Sequence, residues 1–211
     1  MIDILYQDNQ LLFCVKPSGV TSEADGMVKL LSEQLGCSIY PVHRLDKPVG
    51  GVMIYAKTSE SASKLSAQFS SHETEKTYLC VVKGKPADDS AIFTDLLYKD
   101  VRTNKTYVVA RPRKGVKEAS LEYQTMATVN AEDGVLSLLK VKLHTGRSHQ
   151  IRVQFASRKL PLLGDSRYGG KCSGLDVCLW SHSLTVTHPK TCDRLTYSVY
   201  PSSDYPWNEF V

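Results

Sequence analysis

Two polar clusters in this chain combine residue types at spacings that suit a reaction centre. The first is His43-Arg44-Leu45-Asp46, followed by Lys47-Pro48, the pair Gly50-Gly51 and an apolar run. The second is HTGRSHQIRVQFASRK, from His144 to Lys159, which carries Arg147, Ile151 and Arg152. Asp46 stands two residues after Arg44. A guanidinium beside a carboxyl favours the ionised form and lowers its pKa by roughly 1 to 3 units. An acid held charged in this way is a nucleophile or a base. The same residues also fit an ordinary loop ion pair between Arg44 and Asp46, and such pairs perturb carboxylates without doing chemistry.

Other chemistries find less support. His43, Asp46, His144, His149 and His182 offer metal-ligand types, but His43 and Asp46 lie three apart on a loop. No H-x-H or H-E-x-x-H pair is present to start a metal site. Each histidine reads better as a satisfied core or loop residue, and no metal is expected. A G-x-S-x-G elbow, a P-loop and a dinucleotide glycine motif are all missing. Chemistry here therefore has to run on an acid, on the tyrosine Tyr78 within EKTYLCVVKG, and on arginines.

Such side chains need rigid elements behind them. Residues 10–17, QLLFCVKP, read as a first strand, with Ser18-Gly19 as its turn. A helix follows: Asp25 suits its cap, Met27, Leu30, Leu31 and Leu35 recur at helical spacing, and Gly36 closes it. The continuous apolar run from Gly51 to Ala56 reads as a buried strand. Ser59 opens a second helix whose Ala62, Leu65 and Phe69 share a face. Thr77 to Lys83 alternates as a strand, as do residues 119–125 and 135–143 around a turn at Asn130 to Gly134. Ser148 suits the cap of a third helix, with Ile151 and Phe155 inward and Arg152 and Arg158 outward. Its N-terminus, preceded by Gly146-Arg147, has the character of an anion site. Two closing strands are expected over 178–186 and 195–200. The economical fold is α+β, a single domain over 1–211 with a mixed, largely antiparallel sheet and flanking helices.

The chain has 211 residues, is 42% apolar and carries a formal net charge of +4, which suits a soluble globular protein and permits a polyanionic partner without requiring one. The charge is uneven. Lys99, Arg102, Lys105, Arg111, Arg113, Lys114 and Lys117 cluster within nineteen residues against Asp100 as the one acid. That stretch is either a solvated hairpin kept soluble by charge or a binding arm. The six scattered cysteines form no C-x-x-C pair and read as reduced thiols. No secretory signal and no membrane-length apolar run are apparent, so a soluble, cytoplasmic protein is expected.

Four stretches, in order, resemble the RluA-type pseudouridine synthases. HRLDKPVGGVMIYAKT resembles the family's catalytic motif. LLFCVKPSGV resembles its first motif, EKTYLCVVKG its tyrosine strand, and HTGRSHQIRVQFASRKLPLLGDSRYGG its third motif; SHSLTVTHPKT is similar to its closing hairpin. The resemblance implies the pseudouridine synthase fold with a central catalytic cleft. It implies an isomerase that turns uridine in ribosomal or transfer RNA into pseudouridine without a cofactor. It makes Asp46 the catalytic aspartate, Tyr78 the tyrosine under the uracil ring and Arg147 the arginine that pairs with the aspartate. Ile151 would pack near the base and Arg44 would fill the space that the flipped nucleotide leaves. His43, Lys16, Lys76 and Arg152 complete the expected substrate-binding set. Two departures stand out: Val49-Gly50 occupies the place of the common Thr-Ser, and the small basic domain that many relatives carry at the N-terminus is not expected here.

The residue chemistry fits that resemblance. Breaking the N1–C1′ bond and joining C5 to C1′ needs an ionised carboxylate at the ribose, a flat apolar slot and cations. The carboxylate could attack C1′, add to C6 or remove the C2′ proton. The other reading is an RNA-binding or RNA-folding module on the same fold, and retention of Asp46 speaks against it. A monomer acting on RNA, with no membrane or metal partner, is the expectation.

Overall fold

The computed structural model describes residues Met1 to Phe210. In chain order the elements are β1 (Ile4–Gln7), β2 (Leu11–Lys16), α1 (Met27–Leu35), β3 (Tyr40–Pro41), β4 (Gly50–Ala56), α2 (Ser59–Ser70), β5 (Glu75–Lys83), β6 (Ser90–Asp100), β7 (Lys105–Val109), β8 (Val116–Ala131), β9 (Gly134–Leu143), α3 (Gln150–Ala156), β10 (Leu179–Thr187) and β11 (Arg194–Ser198). The class is α+β with mostly antiparallel strand pairing, as expected. The chain divides into two compact units: residues 1–77 with 180–201, and residues 78–179 with the chain after Pro201.

In the first unit the strand order is β1-β2-β4-β10, with β3 on β4 and β11 on β10. Pairing is antiparallel except between β4 and β10, which run parallel. β4 reads GGVMIYA and is buried at every position, which explains its continuous apolar run. Leu11, Phe13, Val52, Ile54, Ala56, Leu65, Leu184 and Val186 form one core, and each buried Val, Leu, Ile or Phe among them stabilises by about 1.5 to 3 kcal/mol. α2 is capped by Thr58, whose Oγ1 accepts the Ser61 N–H at 3.1 Å. α1 ends where Gly36 turns left-handed (φ 64°). Its N-cap is Gly26 rather than the expected Asp25, because the Asp25 carboxylate accepts from Thr21 Oγ1 instead, at 2.7 Å.

In the second unit the order is β5-β9-β8-β6-β7. β6 pairs with both β7 and β8, and β8 with β9, all antiparallel. β7 falls within the basic stretch from Lys99 to Lys117 that could be a hairpin, β6 covers residues for which the sequence suggested no element, and β8 begins earlier than expected. α3 packs its Val153 with Leu97 of β6 and Ala119 of β8. It starts at Gln150, two residues after the expected cap Ser148: His149 is the N-cap, in the left-handed region (φ 52°), and makes no side-chain cap bond.

Candidate active site

Asp46 lies in the first unit, half-buried, on the loop between β3 and β4. That loop is fixed from both sides by the segment that follows β2. Ahead of Asp46, Ser22 Oγ donates to the Leu45 carbonyl at 3.0 Å and accepts the Leu45 N–H at 3.1 Å. Behind it, the Lys47 carbonyl accepts from the Gly19 N–H at 2.9 Å and from the Lys16 ammonium at 3.0 Å, and Ser18 Oγ donates to the Pro48 carbonyl at 2.8 Å. The Asp46 carbonyl itself takes the Val49 N–H at 2.9 Å, closing a tight turn. A loop braced this way presents its acid with little backbone freedom left to lose on meeting a substrate.

The neighbouring expected site residues have definite places in the same unit. Lys16 is fully buried and its ammonium also donates to the Pro17 carbonyl at 3.0 Å, so it joins the end of β2 to the aspartate loop. His43 stacks on Phe69, centroids 4.5 Å apart and 8° between planes, and its Nε2 accepts the Ile54 N–H at 3.2 Å. Burial, helped by the Lys76 charge, pulls the imidazole down to about 3, so the ring is neutral at physiological pH. Lys76 is 9% exposed, lies 5.9 Å from the Phe69 ring centre, and is itself lowered by desolvation. The Arg44 side chain is exposed, and its carboxylate partner is Glu23 at 3.1 Å; the ion pair with Asp46 that the sequence left open is therefore not formed.

Val49-Gly50-Gly51 has a steric reason. A Cβ on Gly50 would lie 2.5 Å from the Trp180 ring and 3.1 Å from the Lys16 carbonyl. At Gly51 (φ 116°) it would meet the Ser181 carbonyl oxygen at 2.2 Å. The glycine pair admits β10 against the start of β4, where Trp180 and Ser181 register with Gly50 and Gly51.

Tyr78, Arg147, Ile151 and Arg152 belong to the second unit. Tyr78 is 8% exposed on β5. Arg147 precedes α3, and its Nε donates to the Glu118 carbonyl at 2.9 Å. Gln150 organises its loop: Oε1 accepts from Thr145 Oγ1 at 2.7 Å and from the Arg147 N–H at 3.0 Å, while Nε2 donates to the Ser120 carbonyl at 3.0 Å. The sequence reading missed this glutamine; its only signal is a buried polar residue just before the apolar Ile151. Ile151 is inward, as expected. Arg152 is inward too, against expectation, because its guanidinium makes a two-pronged contact with buried Asp165, Nε to Oδ2 and Nη2 to Oδ1 at 2.8 Å each. The anion site expected at the α3 N-terminus has only a seven-residue helix behind it, and Gln150 fills the Arg147 amide. No group of three or more metal-ligating side chains forms among the described residues.

The first unit carries an acid on a braced loop; the second carries a buried tyrosine and an arginine tethered at Nε. Comparison with known proteins gives these residues a context. Residues 10–157 match the family described as RNA pseudouridylate synthase, a span that contains Asp46, Tyr78 and Arg147. The chain is 31% identical to a tRNA pseudouridine synthase C of Haemophilus ducreyi, over 93% of this chain and 90% of that protein. It is 38% identical to an uncharacterised RNA pseudouridine synthase of Aquifex aeolicus, over 99% of this chain and 73% of that protein. The human RNA pseudouridylate synthase domain containing 1 shares the fold with a TM-score of 0.84 at 19% identity, over 98% of this chain and 85% of that chain. The chain thus belongs to the RNA pseudouridylate synthase family, and is an isomerase of uridine in RNA.

Proposed function

We propose that this protein forms pseudouridine in transfer RNA with Asp46 as its catalytic carboxylate. The observation that carries the proposal is the bracing of the Asp46 loop on both sides by Ser22, Gly19, Lys16 and Ser18 within the family's matched span. The choice of transfer RNA over ribosomal RNA draws on the substrate named for the Haemophilus ducreyi relative.

The isomerisation is balanced in itself. The N1–C1′ bond breaks, the uracil turns, C5 bonds to C1′, and the proton lost from C5 is matched by one gained at N1. The Asp46 carboxylate acts at the ribose. Tyr78 supplies a flat surface for the base, an interaction worth about 1 to 3 kcal/mol per stacked base. Arg147, tethered at Nε, supplies a positive charge with little left to order. Ile151 lines the apolar slot. Extracting the nucleotide from its stack costs a few kcal/mol, and Arg44 fills the gap it leaves. Its exposed pair with Glu23 is worth only about 0 to 1 kcal/mol, so Arg44 is released at small cost. His43, Lys16, Lys76 and Arg152 serve the substrate indirectly, by supporting the elements that carry these groups. Six free cysteines fit a reducing, cytoplasmic setting, and the protein acts as a monomer.

The test is pseudouridine mapping by carbodiimide labelling and primer extension on transfer RNA from cells lacking the gene. The wild-type chain restores the stop. Asp46→Asn and Asp46→Ala abolish it, at least about a thousandfold in rate, while RNA binding stays near wild type. Conversion by either variant would overturn the assignment of Asp46, and binding without any conversion by wild type would favour an RNA-folding module.

A further inference from the structure

β7 is five residues long and among the described residues pairs with β6 alone, so one of its edges lacks a neighbouring strand there. β6 is anchored by β8 on its other side and Val108 of β7 packs on the cluster of Leu97, Ala119 and Val153, so what is left to be held is the turn between β6 and β7. Lys99, Arg102 and Lys105 lie on the hairpin, and Arg111, Arg113, Lys114 and Lys117 on the chain that follows β7, and these cations repel one another. The turn is held by two adjacent side chains of a different loop. Arg167 Nη1 donates to the Asn104 carbonyl at 2.6 Å and lies 3.4 Å from the Thr103 carbonyl. Tyr168 Oη accepts the Thr106 N–H at 2.8 Å and is 2.9 Å from His149 Nδ1. The Lys105 ammonium lies 5.4 Å from the Tyr168 ring centre. The loop that presents these two residues is itself fixed by buried Asp165, whose Oδ1 accepts the Arg167 and Tyr168 N–H groups at 3.1 and 3.2 Å and whose carboxylate also binds Arg152 of α3.

We infer that the 165–168 loop is a bracket that pre-organises the β6–β7 hairpin as a rigid arm for the RNA phosphate backbone, with Arg167 and Tyr168 as its positioning residues. The inference rests on the reading of this chain as an enzyme of RNA. Its chemistry favours a polyanion over simple stability. Seven cations already crowd the stretch from Lys99 to Lys117 against one acid, and the bracket adds an eighth at the turn. For the isolated protein a neutral donor would serve better, since like charges destabilise the compact state. Opposite phosphates the same crowding becomes attraction, and an arm ordered in advance avoids an entropy loss on binding. The outer side of the hairpin fits a strand of RNA: Tyr107 is 42% exposed, and Arg113 lies 4.4 Å over the Tyr98 ring, offering a stacking surface among the cations.

Equilibrium binding to an in vitro-transcribed transfer RNA, read over a salt series, tests this with the full chain. Arg167→Ala and Tyr168→Phe should each raise Kd by about 3- to 30-fold, the range expected when a recognition loop must be ordered on binding. They should also speed hydrogen exchange over residues 105–109, leave kcat at saturating RNA near wild type, and leave the slope of log Kd against log salt unchanged. Arg167→Lys, which keeps one donor for the turn carbonyls, should recover part of the affinity. A reduced salt slope in Arg167→Ala would make Arg167 a direct phosphate contact and overturn the bracket, as would faster exchange with unaltered Kd, or no RNA binding by wild type. Failure of the Asp46 reading shows separately, as pseudouridine made by Asp46→Asn, and leaves this binding series standing.

Discussion

His43 is held in the fold by contacts that its sequence motif does not display. Its ring lies on Phe69, Nε2 takes a backbone N–H of β4, and Lys76 sits close enough to oppose a second positive charge. The folded imidazole therefore binds fewer protons than the unfolded one. Its contribution to stability is complete above the unfolded pKa near 6.5 and is lost as pH falls toward about 3. Chemical denaturation between pH 7.5 and 5 should show stability falling by no more than about 1.4 kcal/mol per pH unit from this one group. His43→Phe, which keeps the stacking and cannot titrate, should flatten that dependence; an unchanged pH profile would assign it to other groups. Lys16 and Arg152 likewise have partners within the fold: Lys16 is bonded to two carbonyls and Arg152 to Asp165, thirteen residues away. Sequence spacing reveals neither partner.

Among the elements, β4 is the one on which the aspartate loop depends, and its Gly50-Gly51 start is set by β10. Gly51 combines φ 116° with the Ser181 backbone at the position a methyl would take. Gly51→Ala should destabilise the fold by about 2 to 4 kcal/mol, from backbone strain plus overpacking, and should also lower activity. A thermal midpoint within a degree or two of wild type would show that the β4–β10 contact yields. Most elements were legible as patterns: β2 and β4 as continuous apolar runs, α1 and α2 by spacing and caps, and β5, β9 and β10 as alternation or apolar runs. β6 was not. On its packed side Phe93 and Leu97 flank Asp95, which pairs with Arg158 at 2.8 Å and accepts a hydrogen bond from the Gln154 amide at 2.7 Å, so a charged residue interrupts the apolar alternation of a strand. The third helix began later than its serine suggested because Gln150 turns back onto its own loop.

On the scale of the molecule the modest net charge of +4 hides a local field. Arg111, Arg113 and Lys114 are exposed between β7 and β8. Replacing all three with alanine should weaken transfer RNA binding and flatten log Kd against log salt by about 0.7 to 0.9 for each phosphate contact removed; an unchanged slope would leave the segment as a solvated surface. The family and its reaction were readable from the sequence by itself, because a carboxylate, a tyrosine and an arginine within four ordered motifs are local patterns that survive without coordinates. The same is true of the α+β class, since periodicity is local too. Tertiary structure alone decided which polar residues face inward as braces. It decided that Arg44 pairs with Glu23, that two glycines make room for Trp180 and Ser181, and that a loop sixty residues downstream holds the basic hairpin. Those outcomes depend on contacts between residues far apart in the chain, where burial selects the partner and sequence spacing carries no record of it.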